Sequence, residues 1–166
     1  YVVGDETALL NSLMGNRGYP LLKPPFPTQE GLWERPTVVN NVETLACVPL
    51  ILARGAEWFR SVGSERNPGP KLYSVSGHVA KPGVYELPMG TTVAELLEEA
   101  GGVVGTLKAV QIGGTAGPIY PPQAGELSLD FVSMREAGGS LGSGALVVMN
   151  TSVSMVQVLQ VTSRFF

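Results

Sequence analysis

The sequence predicts an α+β protein in two units. Residues 1–62 are rich in proline and helical pattern, and residues 71–150 read as strand, turn, strand, helix and further strands. Between them Gly63-Ser-Glu-Arg-Asn-Pro-Gly-Pro70 is polar and turn-forming, with almost nothing to contribute to a core. A hairpin, one crossing helix and additional strands are the ingredients of a β-grasp, ubiquitin-like fold over 71–150.

The elements follow in order. Tyr1-Val2-Val3 is a β-branched and aromatic run that predicts a short strand, leading through Gly4 into a helix carrying Ala8, Leu9, Leu10, Leu13 and Met14. Asp5 suits the N-cap of that helix, Glu6 suits its positive end, and Gly15 closes it. From Asn16 to Val38 the prolines at 20, 24, 25, 27 and 36 forbid regular structure and predict a stiff loop, the kind of segment that presents side chains. Asn40 with Glu43 three residues later predicts a capping box, opening a helix that buries Val42, Leu45 and Ala46 until Pro49 interrupts it. Leu50, Ile51, Arg54, Glu57 and Trp58 continue as a second helical segment.

In the second unit Leu72, Tyr73, Val75 and Val79 predict one strand, Lys81-Pro82-Gly83 a turn, and Val84 to Leu87 the partner strand. Thr92 and Glu95 form a second capping box, and Val93, Leu96, Leu97 and Ala100 recur at helical spacing until Gly101-Gly102. Lys108–Ile112 and Ala145–Met149 predict two more strands. The second is wholly apolar and is therefore expected at the centre of the sheet. Val153, Val156, Leu159 or Gln160, and Ser163 outline an amphipathic helix over 151–166 with no partner in the chain. The chain opens without Met inside an apolar run and stops within a helical pattern, so it reads as an internal segment of a longer polypeptide.

Composition removes several function classes. The chain has 166 residues, 44% of them apolar, a net charge of −3 and eleven Lys plus Arg with no basic run, so no nucleic-acid or anionic-membrane surface is indicated. The longest apolar stretch, near Val48 to Ala53, is far shorter than a membrane span. Cys47 is the only cysteine, which excludes an internal disulfide and a multi-cysteine metal or cluster site built by this chain alone. His78, the only histidine, has no ligand or carboxylate partner beside it in sequence and is not read as a metal ligand or general base. The glycine clusters at 113–117 and 138–144 read as turns: one precedes a strand instead of opening a helix, and the other lacks a P-loop lysine.

The candidate chemistry lies near the start. A Gly-acid-acid turn at Gly4, Asp5 and Glu6 lets backbone approach a flat ring and offers carboxylates to ring or ribose donors, although the same residues also read as an ordinary capped helix. Lys23 can neutralise phosphate or bind ribose oxygens and Phe26 can stack on adenine, or both can lie unused at the surface. Asn40 and Asn41 place side-chain amides at a helix N-terminus, a natural phosphate or ribityl position, whether or not Asn40 also caps the helix.

Tyr1-Val-Val-Gly4-Asp5-Glu6-Thr7-Ala8-Leu9, together with Lys23-Pro-Pro-Phe26-Pro and Val39-Asn40-Asn41-Val42-Glu43-Thr44, resembles the signature of the flavin- and NADH-binding (51 kDa-type) subunit of respiratory complex I and its soluble relatives. The similarity continues through Ser74-Val-Ser-Gly-His-Val, Lys81-Pro-Gly-Val-Tyr-Glu, Gly90-Thr-Thr and Leu141 to Met149, which resemble the soluble-ligand-binding β-grasp (SLBB) domain of that family. The resemblance implies that 1–62 is the C-terminal part of a Rossmann-like α/β FMN/NADH-binding domain, 71–150 the SLBB domain, and 151–166 the first helix of a C-terminal bundle. It implies that Tyr1, Gly4, Asp5, Glu6, Asn40 and Asn41 contact FMN, that Lys23 and Phe26 contact NADH, and that Glu6 faces the nicotinamide. It further implies hydride transfer from NADH to FMN and onward passage of electrons to a [4Fe–4S] cluster and quinone. The expected partners are other hydrophilic subunits, notably the 2Fe–2S (24 kDa-type) subunit, on the cytoplasmic or matrix side of a membrane complex. No metal ligand is expected in this chain, which by itself is expected to be inactive and to bind FMN weakly or not at all. Alternative parents are the diaphorase of an NAD-linked hydrogenase or formate dehydrogenase; the other reading is a non-catalytic β-grasp ligand-binding or docking module.

Overall fold

The computed structural model describes residues 1–166 and resolves two compact units, Tyr1–Ala53 and Arg54–Phe166. The division falls at the end of a helix, ahead of the turn-rich stretch at 63–70.

The first unit contains helices and loops. Tyr1–Val3 does not form the expected strand: Val2–Gly4 is a 3₁₀ turn, closed by Gly4 N–H to Tyr1 O (3.0 Å) and Asp5 N–H to Val2 O (3.0 Å). Apolar and β-branched content favours a strand only where a ladder partner exists, and here local bonds satisfy the backbone. Helix α1, Glu6–Leu13, follows; its Thr7, Ala8 and Leu10 are buried. The proline-rich loop has a 3₁₀ turn at Leu32–Glu34 and otherwise no regular structure.

Helix α2 runs over Val42–Arg54 and differs from expectation in three ways. Its cap is Asn41 instead of Asn40, with Asn41 Oδ1 accepting from Glu43 N–H at 2.8 Å. It passes through Pro49, although the proline deletes one donor and its ring crowds the preceding turn. The interruption comes at Gly55 (φ +87°), after which α3 spans Ala56–Arg60. Nor is its apolar stripe covered: Val42 and Leu52 are each 81% exposed, and no residue of α2 is buried.

The second unit is built on a five-stranded sheet of order β2-β1-β5-β3-β4. Strands β1 (Pro70–Gly77) and β2 (Gly83–Pro88) form the antiparallel hairpin, and β1 pairs in parallel with β5 (Ala145–Asn150). Antiparallel pairing of β5 with β3 (Leu107–Ile112) and of β3 with the two-residue β4 (Ile119–Tyr120) completes it. Strand β5, apolar from Ala145 to Met149, is central, as its sequence predicts, and the strand order with one crossing helix is that of a β-grasp.

That helix, α4 (Val93–Glu99), carries the expected capping box: Thr92 N–H donates to Glu95 Oε2 at 2.7 Å, and Glu95 N–H to Thr92 Oγ1. Val93, Leu96, Leu97 and Ala100 are buried against Tyr73, Val75, Ile112, Leu146 and Val148. Strand alternation decides which residues take part: Tyr73 and Val75 point into this core, whereas Leu72 is on the opposite face and exposed. Val79 lies beyond the end of β1, in an isolated bridge to Val103.

Two elements have no counterpart in the sequence-based expectation, helix α5 (Phe131–Glu136) and β4. The final helix, α6 (Met155–Phe165), turns a different stripe inward from the one predicted. Met155, Val158 and Thr162 are half-buried, while Val156 and Leu159 are exposed. No helix is long and apolar enough to cross a membrane.

Candidate functional site

The first unit brings three of the predicted residues together at the entrance to α1. Asp5 caps the helix, and its Oδ1 accepts from Thr7 N–H (2.9 Å), Ala8 N–H (3.2 Å) and Thr7 Oγ1–H (2.5 Å). The hydroxyl of Thr7 and the N–H of Ala8 are the main reasons that the Asp5 carboxyl is held below the usual carboxylate range. Glu6 follows in the first turn, where the helix dipole favours a negative charge.

Lys23 reaches this turn from the proline-rich loop. Its Nζ lies 2.7 Å from Glu6 Oε1 and 3.9 Å from Asp5 Oδ2. Accepting from the ammonium, Glu6 holds Lys23 above its ordinary value. Two acids and one base, each with a third or so of its side chain exposed, therefore make a solvent-facing cluster with a formal charge of −1.

The loop is registered against α1 at several points. Thr7 Oγ1 accepts from Leu21 N–H at 2.8 Å, and Asn11 Nδ2 donates to Tyr19 O at 2.8 Å. Gly18 packs so tightly that an added Cβ would sit 2.5 Å from Val3 Cγ2. Between α1 and the loop a cleft of about 260 Å³ is lined by Thr7, Leu10, Met14, Leu21, Leu22 and Glu30, among others.

The other predicted residues stand apart from this cluster. Tyr1 and Phe26 are exposed at 78% and 51%. Gly4 has open space beside it, since an added Cβ would meet nothing within 4 Å. Asn41 caps α2, Asn40 is exposed, and no hydrogen bond or ion pair joins either to Asp5, Glu6 or Lys23. Thr7 is the participant that sequence reasoning does not single out. The Asp-x-Thr pattern at a helix start could have exposed it, because a hydroxyl two residues after an Asx cap can donate back to the carboxylate.

In the second unit a hollow of about 500 Å³ lies between α6 and the sheet, bordered by His78, Gln111, Met149, Val158 and Val161. It offers no convergent polar chemistry: the Gln111 amide donates to Thr115 O and Gly117 O, and His78 Nδ1 lies 3.3 Å from Val148 O. The glycine clusters meet each other, with an added Cβ at Gly142 falling 2.7 Å from Gly113 O, so their role is close backbone packing. No group of three or more His, Cys, Asp or Glu side chains could hold a metal ion. Cys47 is half-buried on α2.

Comparison with known proteins agrees with this architecture. Residues 72–121 match the SLBB domain family, which coincides with β1 to β4 of the β-grasp unit. Over its whole length the chain is 52% identical to the NADH-quinone oxidoreductase F 2 subunit of Rhizobium meliloti and 47% identical to the corresponding F subunit of Rickettsia felis, in each case covering 40% of the relative. It is 46% identical to the F subunit of Mycobacterium tuberculosis H37Rv, covering 38%. Among solved structures, it matches an NAD⁺-reducing [NiFe]-hydrogenase in the H₂-reduced state with a TM-score of 0.89 and 39% identity, covering 28% of that chain. Over its whole length the chain is thus similar to NADH-quinone oxidoreductase F subunits, and it spans about two fifths of the length of those curated relatives.

Proposed function

We propose that the chain supplies one wall of an FMN/NADH site in an NADH dehydrogenase subunit, with a β-grasp unit attached. The convergence of Asp5, Glu6 and Lys23 beside the open backbone at Gly4 carries the reading. Residues 1–62 are the C-terminal part of the nucleotide-binding domain, 71–150 the SLBB domain and 151–166 the first helix of a bundle.

The residues fit such a site. The bare Gly4 backbone leaves room for a flat ring, which Tyr1 can flank, and Asp5 and Glu6 can accept from ring, amide or ribose donors. Lys23 supplies a cation for ribose or phosphate oxygens and Phe26 an aromatic face for adenine. Asn40 and Asn41 offer amides to the ribityl chain or phosphate. When bound, FMN would supply the acceptor for hydride from NADH and release electrons one at a time to iron–sulfur clusters and quinone. The chain's own contribution is to orient the two rings and bias the local charge, with Glu6 on the nicotinamide side. The 2Fe–2S (24 kDa-type) subunit is the expected neighbour, on the cytoplasmic or matrix face of a membrane complex. A soluble diaphorase is the second reading, favoured by the hydrogenase match.

Titrating the 166-residue chain against FMN by flavin fluorescence tests the division of labour. Binding weaker than micromolar is expected, because only one wall of the cradle is present; submicromolar affinity would overturn the proposal that this chain needs further residues to hold FMN.

A further inference from the structure

We infer that Thr7 is a positioning residue of this site: its hydroxyl orients the Asp5 carboxylate and tethers the loop bearing Lys23, so that the acid pair and the cation are presented together. The inference rests on the site reading above and adds to it a buried residue that touches no ligand.

Thr7 is only 5% exposed, unlike the three charged residues it serves. A hydroxyl has one hydrogen to give and two lone pairs to offer, and Thr7 uses both capacities. It donates to Asp5 Oδ1 at 2.5 Å and accepts from Leu21 N–H at 2.8 Å. Because the Thr7 and Ala8 backbone N–H groups also converge on Oδ1, the other oxygen, Oδ2, is the one left toward Lys23. Leu21 lies two residues before Lys23, whose ammonium returns to Glu6, the residue preceding Thr7.

The result is a closed circuit: Asp5 to Thr7, Thr7 to Leu21, along the chain to Lys23, and back to Glu6 and Asp5. Two other anchors of the loop, Asn11 to Tyr19 and Gly18 against Val3, are farther along the chain from Lys23. Removing the hydroxyl therefore leaves the loop attached at 18–19 and α1 capped by two backbone donors. What it frees is the segment from Leu21 to Lys23 and the rotation of the Asp5 carboxylate. A hydroxyl is required because no apolar group of the same shape can donate and accept at once.

The test compares Thr7→Val, Thr7→Cys and Thr7→Ser with Lys23→Ala, in two measurements. In the full chain, carbon-detected NMR titration follows the Asp5 carboxyl, and hydrogen exchange follows the Leu21 amide. Thr7→Val and Thr7→Cys should move the Asp5 midpoint up toward the usual carboxylate range and accelerate Leu21 exchange, whereas Thr7→Ser should retain wild-type behaviour. In the flavin-loaded full-length subunit, Thr7→Val should raise KM for NADH by about tenfold, with kcat changed less than about threefold. A merely structural lesion would instead lower the flavin-loaded fraction and hence kcat. If Thr7→Val does not fold, Thr7→Cys carries the comparison.

Unchanged Asp5 titration and Leu21 exchange in both hydroxyl-free variants would overturn the inference. So would an unchanged KM in those variants where Lys23→Ala raises it. If Lys23→Ala also leaves KM unchanged, the site reading fails, while the NMR result separately decides whether Thr7 holds the turn.

Discussion

Gly77 sits at the end of β1, in the parallel pairing with β5, and replacing it with alanine should be among the costliest single-methyl changes in the chain. Its φ is +87°, a region where an L side chain costs about 1–2 kcal/mol. The added Cβ would fall 2.2 Å from Val148 O and 2.9 Å from Val148 N, both backbone atoms of the central strand. These atoms cannot swing away as a side chain can. Relief requires β5 to retreat from β1 at the Gly77–Val148 register, where His78 N–H donates to Val148 O at 2.8 Å. Overpacking costs about 1–3 kcal/mol, and a weakened ladder bond adds about 1 kcal/mol. The total is about 3–6 kcal/mol, a large part of the roughly 5–15 kcal/mol typical of a domain. Gly102→Ala supplies the control: φ is +84°, yet an added Cβ meets nothing within 4 Å, so only the backbone cost of about 1–2 kcal/mol should appear. Urea unfolding followed by circular dichroism, with m-values held common, measures both. Equal losses for the two variants, within about 0.5 kcal/mol, would refute the steric argument, because the two sites differ in crowding and hardly in φ.

Two further predictions concern the same unit. Leu96, fully buried where α4 crosses the sheet, should cost about 2–5 kcal/mol when truncated to alanine, read as a lower urea midpoint; a loss under about 1 kcal/mol would mean that α4 does not pack as described. Asp130 caps α5 and is buried; that burial raises its pKa, but donors from Ser133 N–H and Oγ, Ser128 Oγ and Val132 N–H outweigh it, and the net shift is downward. A folded value below the unfolded one stabilises above the usual carboxylate range, and that stability is lost as pH falls through the folded value. The urea midpoint should therefore decline on acidification below about pH 4, and Asp130→Asn should decline less steeply over the same range. A variant slope as steep as the wild type's would remove Asp130 from the account.

Much of the fold was legible because local rules and tertiary packing agree there. The box at Thr92 and Glu95, the spacing of Val93, Leu96, Leu97 and Ala100, and the apolar run from Ala145 each read the same way in sequence and in space. The failures are places where a partner decides. Tyr1–Val3 has strand composition but no ladder neighbour, and so turns on itself. The α2 stripe satisfies every sequence criterion for burial and is nevertheless exposed. The two-residue β4 is too short to show a period, and α5 with its Asp130 cap escapes sequence reasoning because a six-residue helix gives little amphipathic signal.

The site divides in the same way. The sequence alone determined the residue types and their order: the Gly-acid-acid turn, the cation in a proline-stiffened loop, and the aromatic and amide groups that resemble one family's nucleotide site. It could not show that Lys23, distant from Glu6 along the chain, returns to within 2.7 Å of it, nor that Thr7 joins the two segments. Chain stiffness and helix capping are local properties, readable from neighbours in sequence. Which carboxylate oxygen is occupied by backbone donors, and which is left for a cation, depends on groups brought together by the fold, and only the tertiary structure decided it.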